Sequence, residues 1–321
     1  MRLVIATVVL CPLLAAPAAA QWPPEKFENL QVLSDSIPLR ELVDLMAGFT
    51  RALGVRCTYC HVGEEGRPLG TYDFPSDDKL TKRKAREMLE MVTAINARYL
   101  PRLEERQDPP VAVQCVTCHG GITTPRTLQD VLLLADRAGG LDSLLATYRA
   151  LRERYYGRAA YDFGEVPLAD VAGTLRADGR LADAVRLYGL NVEQNPAARF
   201  PKLQYAQAAV ELAFVESGPT AGIARYRELQ TQHGAGVFPE PSLNQLGYAL
   251  LGRGKTAEAI EVFKLTVNAF PRSANAYDSL GEAYAAAGDS ARAIASYEQS
   301  LVLDPQNTNA QEKLQALRAR R

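Results

Sequence analysis

Between Leu246 and Pro305 the chain repeats itself at a fixed offset of 34 residues. Leu246-Gly247 recurs as Leu280-Gly281, Gly254 as Gly288, Ala259-Ile260 as Ala293-Ile294, Phe263 as Tyr297 and Pro271 as Pro305. A period of that length is one helix-turn-helix unit, which cannot bury its apolar face alone. Neighbouring units must therefore stack, with Gly and Ala positions letting paired helices approach closely. An earlier copy (Gly179, Ala184, Tyr188, Pro196) precedes its counterparts in the third unit by 75 residues, seven more than two periods. A degenerate repeat with an insertion is expected over roughly 201–240, which gives about four units within 161–321.

The Leu-Gly-x-x-Tyr run ending at Tyr284, the alanine in the second helix and the closing proline resemble the tetratricopeptide repeat. That resemblance implies a surface on which another protein docks.

The first half carries different information. Cys57-Thr58-Tyr59-Cys60-His61 recurs as Cys115-Val116-Thr117-Cys118-His119. C-x-x-C-H is the attachment signature of a c-type haem. Each cysteine sulfur adds to one vinyl group of the porphyrin, and the following histidine lies where its imidazole can bind the iron. Two motifs predict two covalently bound c-type haems, on Cys57 and Cys60 and on Cys115 and Cys118, with His61 and His119 as proximal ligands. A shared zinc site is disfavoured, because the two pairs stand 58 residues apart, far beyond a compact zinc ribbon.

The remaining cysteine, Cys11, lies in an apolar run, Leu3 to Leu14, that follows Met1-Arg2 and precedes Ala18-Ala19-Ala20. This is the pattern of a removable export signal, residues 1–20, cleaved before Gln21. The run is too short for a stable bilayer anchor. The expected location is periplasmic, including a peripheral position at the outer face of the cytoplasmic membrane. A formal charge of -1 gives no reason to expect nucleic acid as a partner. Ala, Leu, Arg and Glu dominate long stretches, so the expected fold class is all-α.

The apolar spacing of Leu39, Leu42, Val43, Met46, Phe49 and Leu53 predicts a helix from Pro38 that ends at Gly54. A loop over 62–77 leads to a helix over about 78–99, capped by Ser76 or Asp77. Two further stretches, about 126–137 and 141–156, are expected to cover the second haem. The dihaem domain is thus placed at 21–160. The run Lys79, Lys82, Arg83, Lys84 and Arg86 reads as a solvated helix face, with partner docking or pairing to haem propionates as the sharper alternative.

Each haem needs a sixth ligand. Beyond His61 and His119 the chain holds only His233, in a Gln-His-Gly-Ala-Gly loop. Methionine sulfur is the other common choice and raises the reduction potential. Met46, Met88 and Met91 all fall in the haem region. Met46 is assigned to the first haem. Helical spacing leaves Met88 and Met91 as alternatives for the second.

Leu45-Met46, Gly54 and the first motif resemble the cytochrome c subunit of photosynthetic reaction centres. So do Met88-Leu89-Glu90-Met91, Ala94-Ile95-Asn96, Val113, the second motif, Gly121 and Pro125. The resemblance covers roughly residues 28–130. It implies methionine ligation by Met46 and by the first methionine of the Met-Leu-Glu-Met run, hence Met88. The family's subunit carries four haems as two such pairs, whereas this chain has one pair. Gly120 stands where the family usually has arginine, and the repeats are foreign to it.

The expected function is electron transfer, with redox partner proteins, membrane-bound or free, docking through the repeats. No substrate is transformed in that reading. A redox-linked scaffold or assembly protein is one alternative. A dihaem peroxidase, which needs an open iron face and a positioned acid or base, is another.

Overall fold

The computed structural model describes residues 22, 24, 26–104 and 108–319; the expected export segment, with Cys11, lies outside them. Among these residues the fold is all-α, with twelve α-helices and, in place of strands, one isolated bridge between Val62 and Asp73. The chain divides into two compact units. The first runs to Arg126 and includes Gly157–Tyr161, and the second comprises Thr127–Tyr156 and Asp162–Arg321.

In the first unit, α1 (Leu39–Leu53) ends where Gly54 turns left-handed at φ 68°. Helix α2 (Leu80–Ala94) runs into a wider π turn over Ile95–Tyr99. It starts later than expected and without a side-chain cap, because the carboxylate of Asp77 is taken by Lys82 and Arg86. Helix α3 (Cys115–His119) is a single turn formed by the second cysteine motif.

The second unit begins with α4 (Leu128–Tyr155), broken at Gly139-Gly140, where Gly140 sits at φ 69°. The break falls between the two helical stretches expected from the sequence. Their role differs from expectation, because both group with the repeats and not with the cysteine motifs. The reason lies in their apolar positions. Leu128, Leu132, Leu141, Leu144, Leu145 and Tyr148 are all buried, and Asp136 holds Arg180 at 2.5 Å. The compact-unit boundary consequently falls at Arg126, not near 160.

Helical hairpins follow. They are α5 (Glu165–Ala177) with α6 (Leu181–Gln194), the two halves of α7 (Arg199–His233), α8 (Glu240–Gly252) with α9 (Thr256–Ala269), and α10 (Ala274–Ala286) with α11 (Ser290–Leu303). Helix α12 (Thr308–Ala319) packs on α11. Helix α7 is broken at Gly218, φ 77°, immediately before Pro219. That break makes a hairpin of the stretch whose repeat is degenerate.

The recurring Leu-Gly pair has a packing cause. A Cβ on Gly247 would stand 2.4 Å from the Phe263 ring, and one on Gly281 would stand 2.8 Å from Tyr297. Each glycine lets the aromatic ring of its partner helix lie against the backbone. Phe214, Phe263, Tyr297, Leu229 and Leu250 form a core that is fully buried. Within it, Glu211 is enclosed with its carboxylate 2.5 Å from Arg176 and 3.2 Å from Arg253.

Candidate functional site

The two cysteine motifs are short helical turns that differ in tightness. At the first, Cys57–Tyr59 is a 3-10 turn, with the Cys60 and His61 amides both donating to the Cys57 carbonyl at 3.2 and 2.9 Å. At the second, Gln114 and Thr117 form reciprocal capping bonds around α3, and Gly120 ends it in the left-handed region at φ 54°. All four cysteines are free thiols. Cys57 and Cys118 are exposed, and Cys60 and Cys115 are half-buried. Desolvation pushes the Cys60 and Cys115 thiols above their ordinary values.

Helices α1 and α2 position both turns. The first is tied to the start of α2, where Lys79 Nζ donates to the Thr58 carbonyl at 3.1 Å and Thr81 Oγ1 donates to that of Tyr59. The second is tied to the end of α2. Asn96 donates to the Val113 carbonyl at 2.8 Å and accepts from the Val113 amide at 2.7 Å, which brackets the chain just before Cys115. Helix α1 packs on α3, and the Gly121 amide donates to the Ala52 carbonyl at 2.8 Å.

The contact at the end of α1 depends on glycine. A Cβ on Gly54 would stand 2.4 Å from the Gly121 carbonyl oxygen, at a backbone conformation L-residues rarely adopt. Gly54→Ala is expected to cost about 1–2 kcal/mol from the left-handed conformation alone, plus the displacement of Gly121. Thermal melting of the first unit should show the loss. A Gly54→Ala protein melting with wild type would refute the contact.

The basic run on α2 is not a solvated face. Lys82 donates to the carbonyls of Phe74, Pro75 and Ser76 at 2.8, 2.9 and 2.9 Å and pairs with Asp77 at 3.2 Å. Arg86 pairs with Asp77 at 2.9 Å and donates to the Asn29 carbonyl at 3.0 Å, while Arg83 reaches the Asp77 carbonyl. These bonds hold the loop before α2, whose Phe74 ring sets its edge against His61 with centroids 4.9 Å apart. Trp22 lies 4.9 Å from Phe74 on the same cluster. The spacing of the lysines and arginines gave no sign of this clamp.

Arg86, then Asn29, then Lys82 hold the Asp77 carboxyl well below the usual carboxylate range. A depressed carboxylate contributes stability above its unfolded value, roughly pH 3.9, and loses it as pH falls through the lower folded value. Fluorescence of Trp22, the chain's sole tryptophan, should therefore stay native through pH 4 and change only in stronger acid. In Asp77→Asn it should be altered already at neutral pH. A wild-type midpoint at the ordinary carboxylate value would contradict the clamp.

The two histidines have different surroundings. His119 Nδ1 lies 3.0 Å from the Ile122 carbonyl. Donation there fixes the tautomer and leaves Nε2 as the free ligand atom, the usual second partner of a metal-bound imidazole. His61 Nδ1 is buried and makes no hydrogen bond. Burial, then the charge of Lys82, push its imidazole below the ordinary value, with the Phe74 carbonyl pulling the other way.

The expected sixth ligands fall on the two long helices. Met46 is half-buried in α1. Met88 and Met91 lie on α2, 41% and 45% exposed. His233 is the last residue of α7 and belongs to the other unit.

These residues fit a haem. Among the described residues of the first unit, only Ala52 and Ile122 are buried apolar residues, whereas Leu39, Val43, Tyr59, Leu80, Met88, Met91 and Val116 are exposed. A unit of this size is held together by burying apolar surface, and two residues supply very little. The uncovered side chains lie on the helices and turns that carry the cysteines and histidines, and porphyrin faces are the kind of surface they would cover. A metal held by the protein alone finds no such support: no cluster of three or more His, Cys, Asp or Glu side chains is present among the described residues.

Comparison with known proteins agrees with this division. The family model of the photosynthetic reaction centre cytochrome C subunit matches residues 5–131, and a tetratricopeptide repeat model matches 274–307. A cytochrome-like segment is thus joined to tetratricopeptide repeats. The photosynthetic reaction center cytochrome c subunit of Thermochromatium tepidum is 32% identical over 120 residues, 36% of this chain and 26% of that protein. Cytochrome c-554 of Chloroflexus aurantiacus is 34% identical over 91 residues, 28% of this chain and 20% of that protein. The chain therefore spans about a quarter and a fifth of the lengths of these curated relatives. Among solved structures, a thermophilic TPR protein of Thermus thermophilus covers 60% of this chain and 97% of its own, with 17% identity and a TM-score of 0.30.

Proposed function

We propose that the protein is an exported dihaem c-type cytochrome that carries electrons and docks its redox partner through the repeat unit. The observation that carries this reading is the pair of C-x-x-C-H turns, each tied to α2 and set among apolar side chains that no protein core covers. Cys57 and Cys60 would hold one haem covalently, and Cys115 and Cys118 the other. His61 and His119 would bind the irons from one side. Met46 and Met88 would bind them from the other, with Met91 as the alternative to Met88.

Bound there, haem iron supplies a one-electron couple between ferrous and ferric states. The chain's own residues set the terms of that couple. The histidine and methionine donors fix the ligand field, the apolar faces of α1 and α2 exclude water, and the Ile122 carbonyl holds the His119 ring in one tautomer. With both axial positions filled there is no open iron face, which favours an electron carrier over a peroxidase. The scaffold alternative would leave partner binding independent of haem redox state.

Among the described residues no helix is long and apolar enough to cross a membrane. We place the protein in the periplasm, free or peripheral to the outer face of the cytoplasmic membrane. The test is spectroscopic. The oxidised protein should show the red charge-transfer band of methionine-ligated ferric haem, reduced in Met46→Ala and in Met88→Ala and abolished in the double variant. A band that survives Met88→Ala and falls in Met91→Ala would transfer the second ligand to Met91. Ready binding of carbon monoxide or cyanide by the wild-type protein would favour the enzyme.

A further inference from the structure

We infer that Lys82 is a positioning residue that sets the His61-ligated haem at a higher reduction potential than the His119-ligated haem. It does so by drawing on the backbone carbonyl that serves the His61 ring. The inference rests on the dihaem reading above and goes further, because it makes the two haems unequal and gives the pair a direction.

The inequality begins with backbone acceptors. His119 Nδ1 has the Ile122 carbonyl at 3.0 Å, and no cation is bonded to that oxygen among the described side-chain contacts. The carbonyl that acts on the His61 ring is that of Phe74, and it accepts Lys82 Nζ at 2.8 Å. A carbonyl has two lone pairs, so Lys82 does not exclude the imidazole. It does pull density from the oxygen and leaves a poorer acceptor. His61 Nδ1, buried and without a hydrogen bond, is the outcome.

An imidazole that donates strongly through Nδ1 is the more basic ligand through Nε2. It stabilises the ferric state and lowers the potential. His119 is in that condition and His61 is not. The Lys82 charge acts in the same direction, because a nearby cation disfavours the extra positive charge of ferric iron. Its side chain is only 12% exposed, so solvent screens it weakly. The low-potential haem would thus be that of His119, and electrons entering there would pass to that of His61.

Haem is counted first, on wild type and on each variant. Fewer than two haems in wild type would defeat the dihaem reading itself, before this inference is reached. With two present, a mediated redox titration of Lys82→Met should show the potential of the His61-ligated haem shifting down and that of the His119-ligated haem unmoved. Lys82→Arg should restore most of the difference.

Because Lys82 also holds the loop, a second readout separates tuning from loosening. In the ferrous protein with 15N-labelled histidine, the His61 Nδ1 proton should move downfield toward that of His119 once the Phe74 carbonyl is released. An unchanged or raised potential, equal shifts at both haems, or an Nδ1 proton lost to solvent exchange in Lys82→Met would each overturn the inference.

Discussion

Replacing Cys115 and Cys118 together by serine should leave a chain with one haem instead of two and a first unit that no longer folds compactly. The reasoning is one of surface. With Ala52 and Ile122 as its buried apolar residues, this unit has little core of its own, and below a certain core size a small domain depends on a cofactor, metal or crosslink. The serine variant should bind one haem per chain and expose the first unit to protease. The repeat unit, with a core of its own running from Ala206 to Leu314, should remain folded. Circular dichroism would therefore keep most of its helical signal. A serine variant whose first unit resisted protease as well as wild type would mean that protein contacts alone hold it.

The second large effect is expected far from the haems. The Glu211 side chain is 1% exposed and lies between Arg176 at 2.5 Å and Arg253 at 3.2 Å. Arg176→Met removes the closer partner and leaves a buried carboxylate with one lateral arginine. Breaking a buried pair from one side costs about 3 kcal/mol or more, which for a unit of this size is a fall in melting temperature of about 10 °C. Adding Glu211→Leu should recover much of the loss, since an apolar pair of similar volume is often as stable as the buried charges. If Arg176→Met melts with wild type, the carboxylate is better solvated than its burial implies.

Much of this was visible in the sequence, and the reasons are specific. The 34-residue offset locates the hairpins because Gly247 and Gly281 each make room for a ring on the next helix. The cysteine motifs are legible because thioether chemistry dictates their spacing. Gly54 marks the end of α1 because only a left-handed residue fits beneath Gly121.

Other features were not legible. The helices at 128–155 resemble haem cover by their position in the chain, but their leucines are buried within the repeat unit, and periodicity does not say which partner a face will meet. The run from Lys79 to Arg86 reads as solvated because its meaning depends on Asn29 and on carbonyls of a loop with no regular period. Asp77 has the sequence of a helix cap but serves as the anchor for Lys82 and Arg86. Asn96 stands out in the sequence only as part of a family resemblance. Its two bonds to Val113 show why an amide belongs there, since it alone offers a donor and an acceptor side by side.

The central claim is that both cysteine motifs carry haem. The direct test is a pyridine haemochrome assay, paired with the intact mass of the denatured chain, on protein produced with haem-attachment machinery. Two haems per chain, retained through denaturation and reduced to one by Cys57→Ser with Cys60→Ser, is the expected result. A chain carrying no covalent haem under those conditions would contradict the account.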